Sequence, residues 1–387
     1  MKKQLKVIVP AVMCVTLALC ACTNKDDTPK FTGNVTEEPE YQDNLNVISP
    51  SAYGNVQGLN LEAGTYISII GKDDSSAYWT ELKKGVAQAE TDLNQALGYS
   101  GKDKVKVTYN APDSSEDIDD QVNILDEELA RYPDALGIAS IDAEACKVQF
   151  DLATENGIPI IALDSGNSYQ GIQCTCKTDN ADAARTGAYK LCDEMEDSGE
   201  IILLVHDSKS TTGKERESSF KNEIAADHPN VSVAETIYCD EMDEMKKDIV
   251  QEKNKTRKEN EKEMAADDLS DEDVIQYYME KHPNIKGCFG TNVTTTQLGL
   301  STLKQMDKTD DIVLMGFDAG KEQIEALKNG EIEGLVVQNP FGIGYASVVA
   351  AARTVLQTGN EAVVNTGYSW VTKENMGDDS IKNMLYE

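Results

Sequence analysis

Short, unbroken apolar runs alternate along this chain with longer stretches whose apolar positions recur every three or four residues. The first run, Thr65-Tyr66-Ile67-Ser68-Ile69-Ile70-Gly71, reads as a buried strand. Leu82, Val86, Ala89 and Leu93 then carry helical spacing across 79–97. The pairing repeats as strand 105–109, helix 118–131, strand 135–139, helix 143–156 and strand 158–164. Gly157-Ile158-Pro159 marks a sharp helix-to-strand turn, and Cys174-x-Cys176 lies in a further strand with both thiols on one face. A second cycle gives helix 181–195, strand 200–205, helix 216–226, strand 231–238 and strand 287–290. Helix 295–306, strand 312–317, helix 323–329, strand 333–338, helix 344–356 and a last extended segment at 368–371 complete it. Continuous apolar strands interleaved with helices predict an α/β protein whose parallel sheets are covered on both faces. Two such cycles predict two doubly wound lobes. No repeat is visible in the residues themselves, so the duplication is one of architecture.

Three stretches depart from this grammar. Lys2, Lys3 and Lys6 precede an apolar run over 7–20, too short to span roughly 30 Å of hydrocarbon. The run closes on Leu19-Cys20-Ala21-Cys22, which resembles the lipobox of bacterial lipoproteins; cleavage before Cys22 would leave that residue lipid-modified at a new N-terminus. The alternative is an ordinary secretory signal that happens to contain cysteines. Residues 23–63, rich in Asn, Asp, Glu, Thr and Pro, show no apolar period and read as a disordered tether. Residues 240–273 are dense in charge, with Met242, Met245 and Ile249 as a narrow helical stripe, and read as a solvated insertion. Ser270-x-x-Asp273 there resembles a capping arrangement for a helix that His282-Pro283 ends.

The 387 residues suffice for two domains. With 68 acidic against 36 basic residues, a net charge of −32 argues against nucleic acid as a partner. Cys146, Cys174, Cys176, Cys192, Cys239 and Cys288 do not cluster with His206, His228 or His282. They read as structural or free thiols, with no metal and no cofactor implied.

Ligands of open α/β sheets bind beyond the carboxyl ends of the strands. Asp73, Asp74, Ser75, Ser76, Tyr78 and Trp79 follow the first strand, and Asp164-Ser165 follows strand 158–164. Asp207, Asn292, Asp318 and Gln338 occupy the corresponding places in the second cycle, and Arg216 follows a Ser/Thr/Gly loop. Taken singly, each has an ordinary reading: strand-end aspartates cap turns, and Tyr78 and Trp79 can anchor a helix in the core. Together, carboxylates, amides, one guanidinium and two aromatics suit a polyhydroxylated ligand. Neither a Gly-x-Ser-x-Gly elbow nor a His-Glu-x-x-His motif occurs, and 208–214 lacks the first glycine of a phosphate loop, with Glu215 where Ser or Thr is required. These absences point to a binding protein rather than an enzyme.

The segments Ser76-Ala77-Tyr78-Trp79-Thr80-Glu81-Leu82-Lys83-Lys84-Gly85, Gly157-Ile158-Pro159-Ile160-Ile161-Ala162-Leu163-Asp164 and Thr178-Asp179-Asn180 recur in order with Arg216-Glu217-Ser218-Ser219-Phe220. Gly290-Thr291-Asn292, Gly316-Phe317-Asp318 and Val337-Gln338-Asn339-Pro340 continue the series. From Gly64 onward the chain resembles the type I periplasmic sugar-binding proteins, the ribose- and galactose-binding receptors of ABC importers. The resemblance implies a three-segment hinge near Asn180, Gln338 and Thr366. One lobe would hold 64–179 with 339–365, the other 180–338 with 366–387. By position, Tyr78 and Trp79 match two aromatics that sandwich a sugar ring, and Ser76 falls where ribose binders place Asn. Asp164, Arg216, Asn292, Asp318 and Gln338 match polar ligand residues. Ser165 replaces an Arg of the ribose binders and Val293 an acidic residue, while the calcium loop of galactose binders is not recognisable near 196–200. The resemblance implies a monomeric receptor, membrane-anchored through Cys22, that closes on a monosaccharide and delivers it to an ABC importer permease. A sugar-sensing co-receptor for a histidine kinase or chemoreceptor is the alternative. An intracellular repressor shares the two-lobed fold, but the signal sequence argues against it.

Overall fold

In a computed structural model, which describes residues 38–258 and 262–386, two six-stranded sheets are built by the same alternation of strand and helix. The leader and Cys22 lie outside the described residues. The chain enters through α1 (Gln42–Asn46) and runs through β1 (Tyr66–Ile70), α2 (Ala77–Leu97), β2 (Lys106–Asn110), α3 (Ile118–Leu129) and β3 (Ala135–Ile138). It continues as α4 (Lys147–Glu155), β4 (Ile160–Leu163) and β5 (Ile172–Lys177). The second cycle is α5 (Asn180–Glu194), β6 (Gly199–Val205), α6 (Thr211–Asp227), β7 (Val231–Tyr238), α7 (Met242–Thr256), α8 (Asp271–Lys281) and β8 (Ile285–Gly290). Then come α9 (Val293–Gln305), β9 (Val313–Phe317), α10 (Lys321–Asn329), β10 (Gly334–Gln338), α11 (Pro340–Val355), β11 (Val363–Asn365), β12 (Tyr368–Val371) and α12 (Asp379–Lys382).

The first sheet orders its strands β11-β5-β4-β3-β1-β2 and the second β12-β10-β9-β8-β6-β7. All pairings in the first are parallel; in the second only β10 with β12 is antiparallel. Both orders reverse direction at the same place, beside β1 in one lobe and β6 in the other, which opens a crevice at the carboxyl ends of the strands. The inner strands β3, β4 and β10 are buried along their length, as the unbroken apolar runs require, while β2, β5, β7, β11 and β12 are partly exposed. α11 is apolar on every side and buried over most of its length. It packs against α2 so closely that a Cβ on Gly85 would stand 2.0 Å from the carbonyl oxygen of Phe341, and one on Gly344 would stand 2.1 Å from that of Leu82.

The chain passes between the sheets three times, after β5, after β10 and between β11 and β12. The crossings are bonded to one another: Asn339 Nδ2 donates to the Thr366 carbonyl at 2.9 Å, and Thr366 N donates to the Lys177 carbonyl at 3.0 Å.

The N-terminal segment differs from the tether that its composition predicts. Within 40–63, Leu45, Ile48, Tyr53, Leu59 and Leu61 are buried in the main core. Ser49 and Asn365 exchange backbone hydrogen bonds of 2.8 and 3.0 Å, and Asn339 Nδ2 donates to the Asn44 carbonyl at 2.7 Å. This segment is therefore a strap laid over the hinge. Its apolar residues follow no helix or strand period because each fills a separate gap, so periodicity gives no signal for it. Three helices begin four or five residues from their predicted starts, α4 later and α6 and α11 earlier. α6 starts at Thr211 because Ser210 caps it, accepting from Gly213 N at 3.0 Å. α11 starts at Pro340, capped by Asn339.

Candidate functional site

The carboxyl ends of both sheets meet around a cavity of about 360 Å³, within the range of small-molecule sites. Ser76, Tyr78, Trp79, Asp164, Arg216, Asn292, Asp318 and Gln338 all line it. The structure thus brings these eight residues to one place.

On the first lobe, Ser76 is the N-cap of α2, its hydroxyl 3.5 Å from Trp79 N. Asp73 Oδ1 accepts from Ser75 N and Ser76 N at 2.5 and 3.0 Å, which fixes the turn that launches the helix. Tyr78 and Trp79 follow directly. Both belong to the hydrophobic core and both line the cavity, so the core and ligand readings hold together. The Tyr78 hydroxyl donates to Asp164 Oδ1 at 2.5 Å. Burial, with the Asp164 and Asp318 carboxylates, raises its pKa well above the ordinary phenol value. The two rings meet edge to face at 80°, centroids 5.4 Å apart. Perpendicular neighbours do not clasp one ring between parallel faces, so the sandwich implied by the family resemblance is not formed by this pair. One presents a face and the other an edge. Asp164 sits at φ 52°, a left-handed turn that lifts its side chain off the end of β4.

The second lobe supplies a bonded polar cradle. Arg216 is buried, with its guanidinium 4.0 Å from the centroid of the Phe317 ring. Nε donates to Asn180 Oδ1 at 2.8 Å, Nη1 to the Thr291 carbonyl at 2.5 Å and Nη2 to Gln338 Oε1 at 2.7 Å. Of the five N–H donors of a guanidinium, two remain beyond these three. Gln338 Oε1 also accepts from the Thr178 hydroxyl at 3.1 Å, and Gln338 Nε2 donates to Asp318 Oδ1 at 2.7 Å, so the hinge is wired to the site. Asp318, at φ 75°, accepts at Oδ2 from Val293 N at 2.8 Å. Burial raises its pKa above the ordinary carboxylate value, against the opposing pull of Arg216 and Gln338. Asn292 caps α9 through Oδ1, which accepts from Thr295 N at 2.9 Å, and no described residue partners its Nδ2.

The structure adds residues that the sequence pattern passed over. Lys72, 8 % exposed, lines the cavity at the end of β1 without a hydrogen-bond or ion-pair partner among the described residues. A buried ammonium with no bonded partner is costly. His206 joins the wall with Nδ1 2.8 Å from the Thr291 hydroxyl, and burial depresses its pKa to about 3, so the ring is neutral. Lys72 comes two residues after β1 and His206 directly after β6, positions at which polarity reads as an ordinary strand terminus. Asp74 and Ser165 lie elsewhere. Asp74 pairs with Lys83 at the surface, and Ser165 turns inward to donate to the Ser140 carbonyl at 2.8 Å.

A crevice closed by two lobes on a three-stranded hinge, lined by aromatics and convergent polar groups, defines a clamshell binding protein of the type I periplasmic class. Residues 67–360 match the periplasmic binding protein domain, and the chain belongs to that family; it is a binding protein, not an enzyme. Among curated relatives, the ribose import binding protein of Bacillus subtilis is 22% identical over 78% of this chain and 83% of its own. The D-apiose import binding protein of Paraburkholderia graminis is 22% identical over 84% of this chain and 92% of its own. Among solved structures, a carbohydrate transporter solute binding protein from Agrobacterium radiobacter in complex with D-arabinose superposes with a TM-score of 0.68 at 25% identity. That alignment covers 84% of this chain and 99% of the Agrobacterium protein.

Proposed function

We propose that this protein is an extracytoplasmic receptor that binds a neutral sugar between its lobes and hands it to an ABC importer. The observation that carries the reading is the bonded cradle of Arg216, Gln338 and Asp318 facing the Tyr78–Trp79 wall across one cavity. Planar, bidentate donors and acceptors match vicinal hydroxyls, and an aromatic face covers the C–H side of a sugar ring. Cavity carboxylates outnumber cations and His206 is neutral, which favours an uncharged polyol over a sugar acid or phosphate. Ser76, Asp164 and Asn292 complete the proposed contacts, and Lys72 supplies a further donor in the cavity wall. Ligand that touches both lobes favours the closed state by its differential affinity. The protein is proposed to act as a monomer held on the membrane through lipid on Cys22, with two or more acyl chains because one holds only marginally.

A thermal-shift screen of pentoses, hexoses and their acids tests the sugar reading, because a specific ligand raises the melting temperature by mass action. One neutral sugar is expected to stand out, and a sugar acid or phosphate in its place would overturn the assignment. Cys22→Ala is expected to release the protein from membranes into the soluble extracellular fraction; firm retention of the variant would remove the anchor from the proposal.

A further inference from the structure

The tail that follows β12 approaches the ligand cavity from behind. Asn44 Nδ2 donates to the Asn383 carbonyl at 3.1 Å, and Asn383 Nδ2 donates to Asp43 Oδ2 at 3.3 Å, so the N-terminal strap grips the tail beside the hinge. The Ser369 hydroxyl donates to Met384 Sδ at 3.3 Å, which ties the tail to β12. Held this way, Tyr386 is buried, at 3 % exposure, between two site residues that come from opposite lobes.

On one side the Tyr386 ring stands edge to face with Tyr78, centroids 5.9 Å apart at 79°. On the other, its hydroxyl oxygen accepts from Ala319 N at 3.2 Å. Through Ala319 the hydroxyl holds the turn that carries Asp318, whose buried carboxylate lies close enough to act on it electrostatically. Tyr386 itself does not line the cavity. Asp318 stands at φ 75°, in the left-handed region that an L-residue adopts only at a cost, so the turn needs support from its neighbours. Gln338 Nε2 and the Val293 amide hold the carboxylate itself, and Tyr386 holds the amide of the residue that follows it.

We propose that Tyr386 is a positioning residue of the ligand site: its hydroxyl holds the Ala319 amide and so the turn that carries Asp318, and its ring backs Tyr78, so that the tail completes a site it does not touch. This rests on the reading that Asp318 and Tyr78 contact the ligand. Removing the hydroxyl leaves Ala319 N without an acceptor and loosens the turn that carries Asp318, while the ring still fills its place. Strap, tail and cavity then act as one unit, and a change at the hinge is felt at the ligand.

The test uses the full chain with Tyr386→Phe and Tyr386→Ala, probed with D-ribose, D-arabinose, D-fucose and D-galactose. For whichever of these the wild type binds, Tyr386→Phe is expected to lose about tenfold in affinity at a melting temperature close to wild type. The Ala319 amide is expected to exchange its hydrogen faster in the same variant. Tyr386→Ala is expected to lose both affinity and thermal stability. A merely space-filling tyrosine predicts that Tyr386→Phe binds as wild type, and that result would overturn the proposal. If none of the four sugars binds the wild type, the sugar reading fails on its own account. Hydrogen exchange of apo protein at Ala319 and across 77–82 then decides the role of Tyr386, with unchanged rates in Tyr386→Phe counting against it.

Discussion

The carboxyl ends of the two sheets share one strand order and meet the same cavity with different chemistry. On the second lobe, Arg216, Asn180, Gln338, Asp318 and the Val293 amide are bonded into a continuous network before any ligand arrives. On the first lobe the bonds are local, Tyr78 to Asp164 and Asp73 to the turn at Ser75 and Ser76, and the Trp79 indole and the Lys72 side chain stand beside them with no hydrogen-bond partner among the described residues. A prebonded network costs little reorganisation when it receives a hydroxylated ligand, and it fixes orientation. A wall of aromatic surface with uncommitted donors gains most from what the ligand brings. Repeating an architecture therefore does not repeat a role: one lobe is built to orient and the other to cover.

The largest expected effect comes from breaking the network at its cation. Arg216→Ala leaves Asn180 Oδ1, the Thr291 carbonyl and Gln338 Oε1 short of a donor and the buried Asp318 without a nearby positive charge. Denaturant unfolding is expected to show a loss of about 3–5 kcal/mol, the scale for disrupting a buried charge arrangement. Arg216→Lys keeps the charge but not the planar fork. It is expected to retain more stability and still bind roughly ten- to a hundred-fold more weakly by titration calorimetry. Wild-type affinity in the lysine variant would erase the contrast between the lobes. On the covering side, Trp79→Ala is expected to reduce affinity by about 1–3 kcal/mol. Because Trp79 is also a core residue, stability falls with it; Trp79→Phe, which keeps most of the packing, separates the two losses. Binding measured by fluorescence in a Trp370→Phe background reports on Trp79 alone, since the chain has two tryptophans.

What the residues disclosed in advance follows the same division. Strands and helices of both cycles were legible because burial on both faces forces unbroken apolar runs, and helices on a sheet need one apolar stripe. The site aspartates and Gln338 were legible because the topology requires ligand chemistry at strand ends. The strap escaped because Leu45, Tyr53 and Leu61 are set by tertiary gaps rather than by period. β11 escaped because three residues carry no pattern. The perpendicular setting of Tyr78 and Trp79, the inward turn of Ser165 and the burial of Lys72 are properties of rotamers and neighbours, which spacing does not encode.

Acidification separates the lobes more gently. Asp318 holds its proton more tightly in the native protein than at its ordinary value of 3.8. Its contribution to folding is therefore fully present below 3.8 and declines as pH rises through the raised value, where ionisation in a buried setting costs stability. Ligand hydroxyls donating to the ionised carboxylate reverse that sense. The ligand-induced rise in melting temperature is expected to grow as pH climbs through the range just above 3.8 and to shrink as it falls. A ligand effect independent of pH across that window would take Asp318 out of the contact set.

The smallest expected change tests the first lobe's uncommitted donor. Lys72 lies close enough to His206 and Asp207 to influence both electrostatically, yet it bonds to neither. Lys72→Met keeps the length and apolar stem of the side chain and removes the charge, so the unliganded protein is expected to gain stability slightly as a buried, unpaired ammonium disappears. Affinity is expected to fall by about 1–2 kcal/mol, because one ligand oxygen loses its donor. The opposite signs are the diagnostic feature. A lysine that served only solubility or packing would leave affinity unchanged, and a lysine that stabilised the lobe through Asp207 would make the methionine variant less stable. Thermal unfolding and titration of the same variant distinguish these outcomes. A loss of affinity accompanied by unchanged or improved stability would show that the covering lobe, too, holds polar capacity in reserve for its ligand.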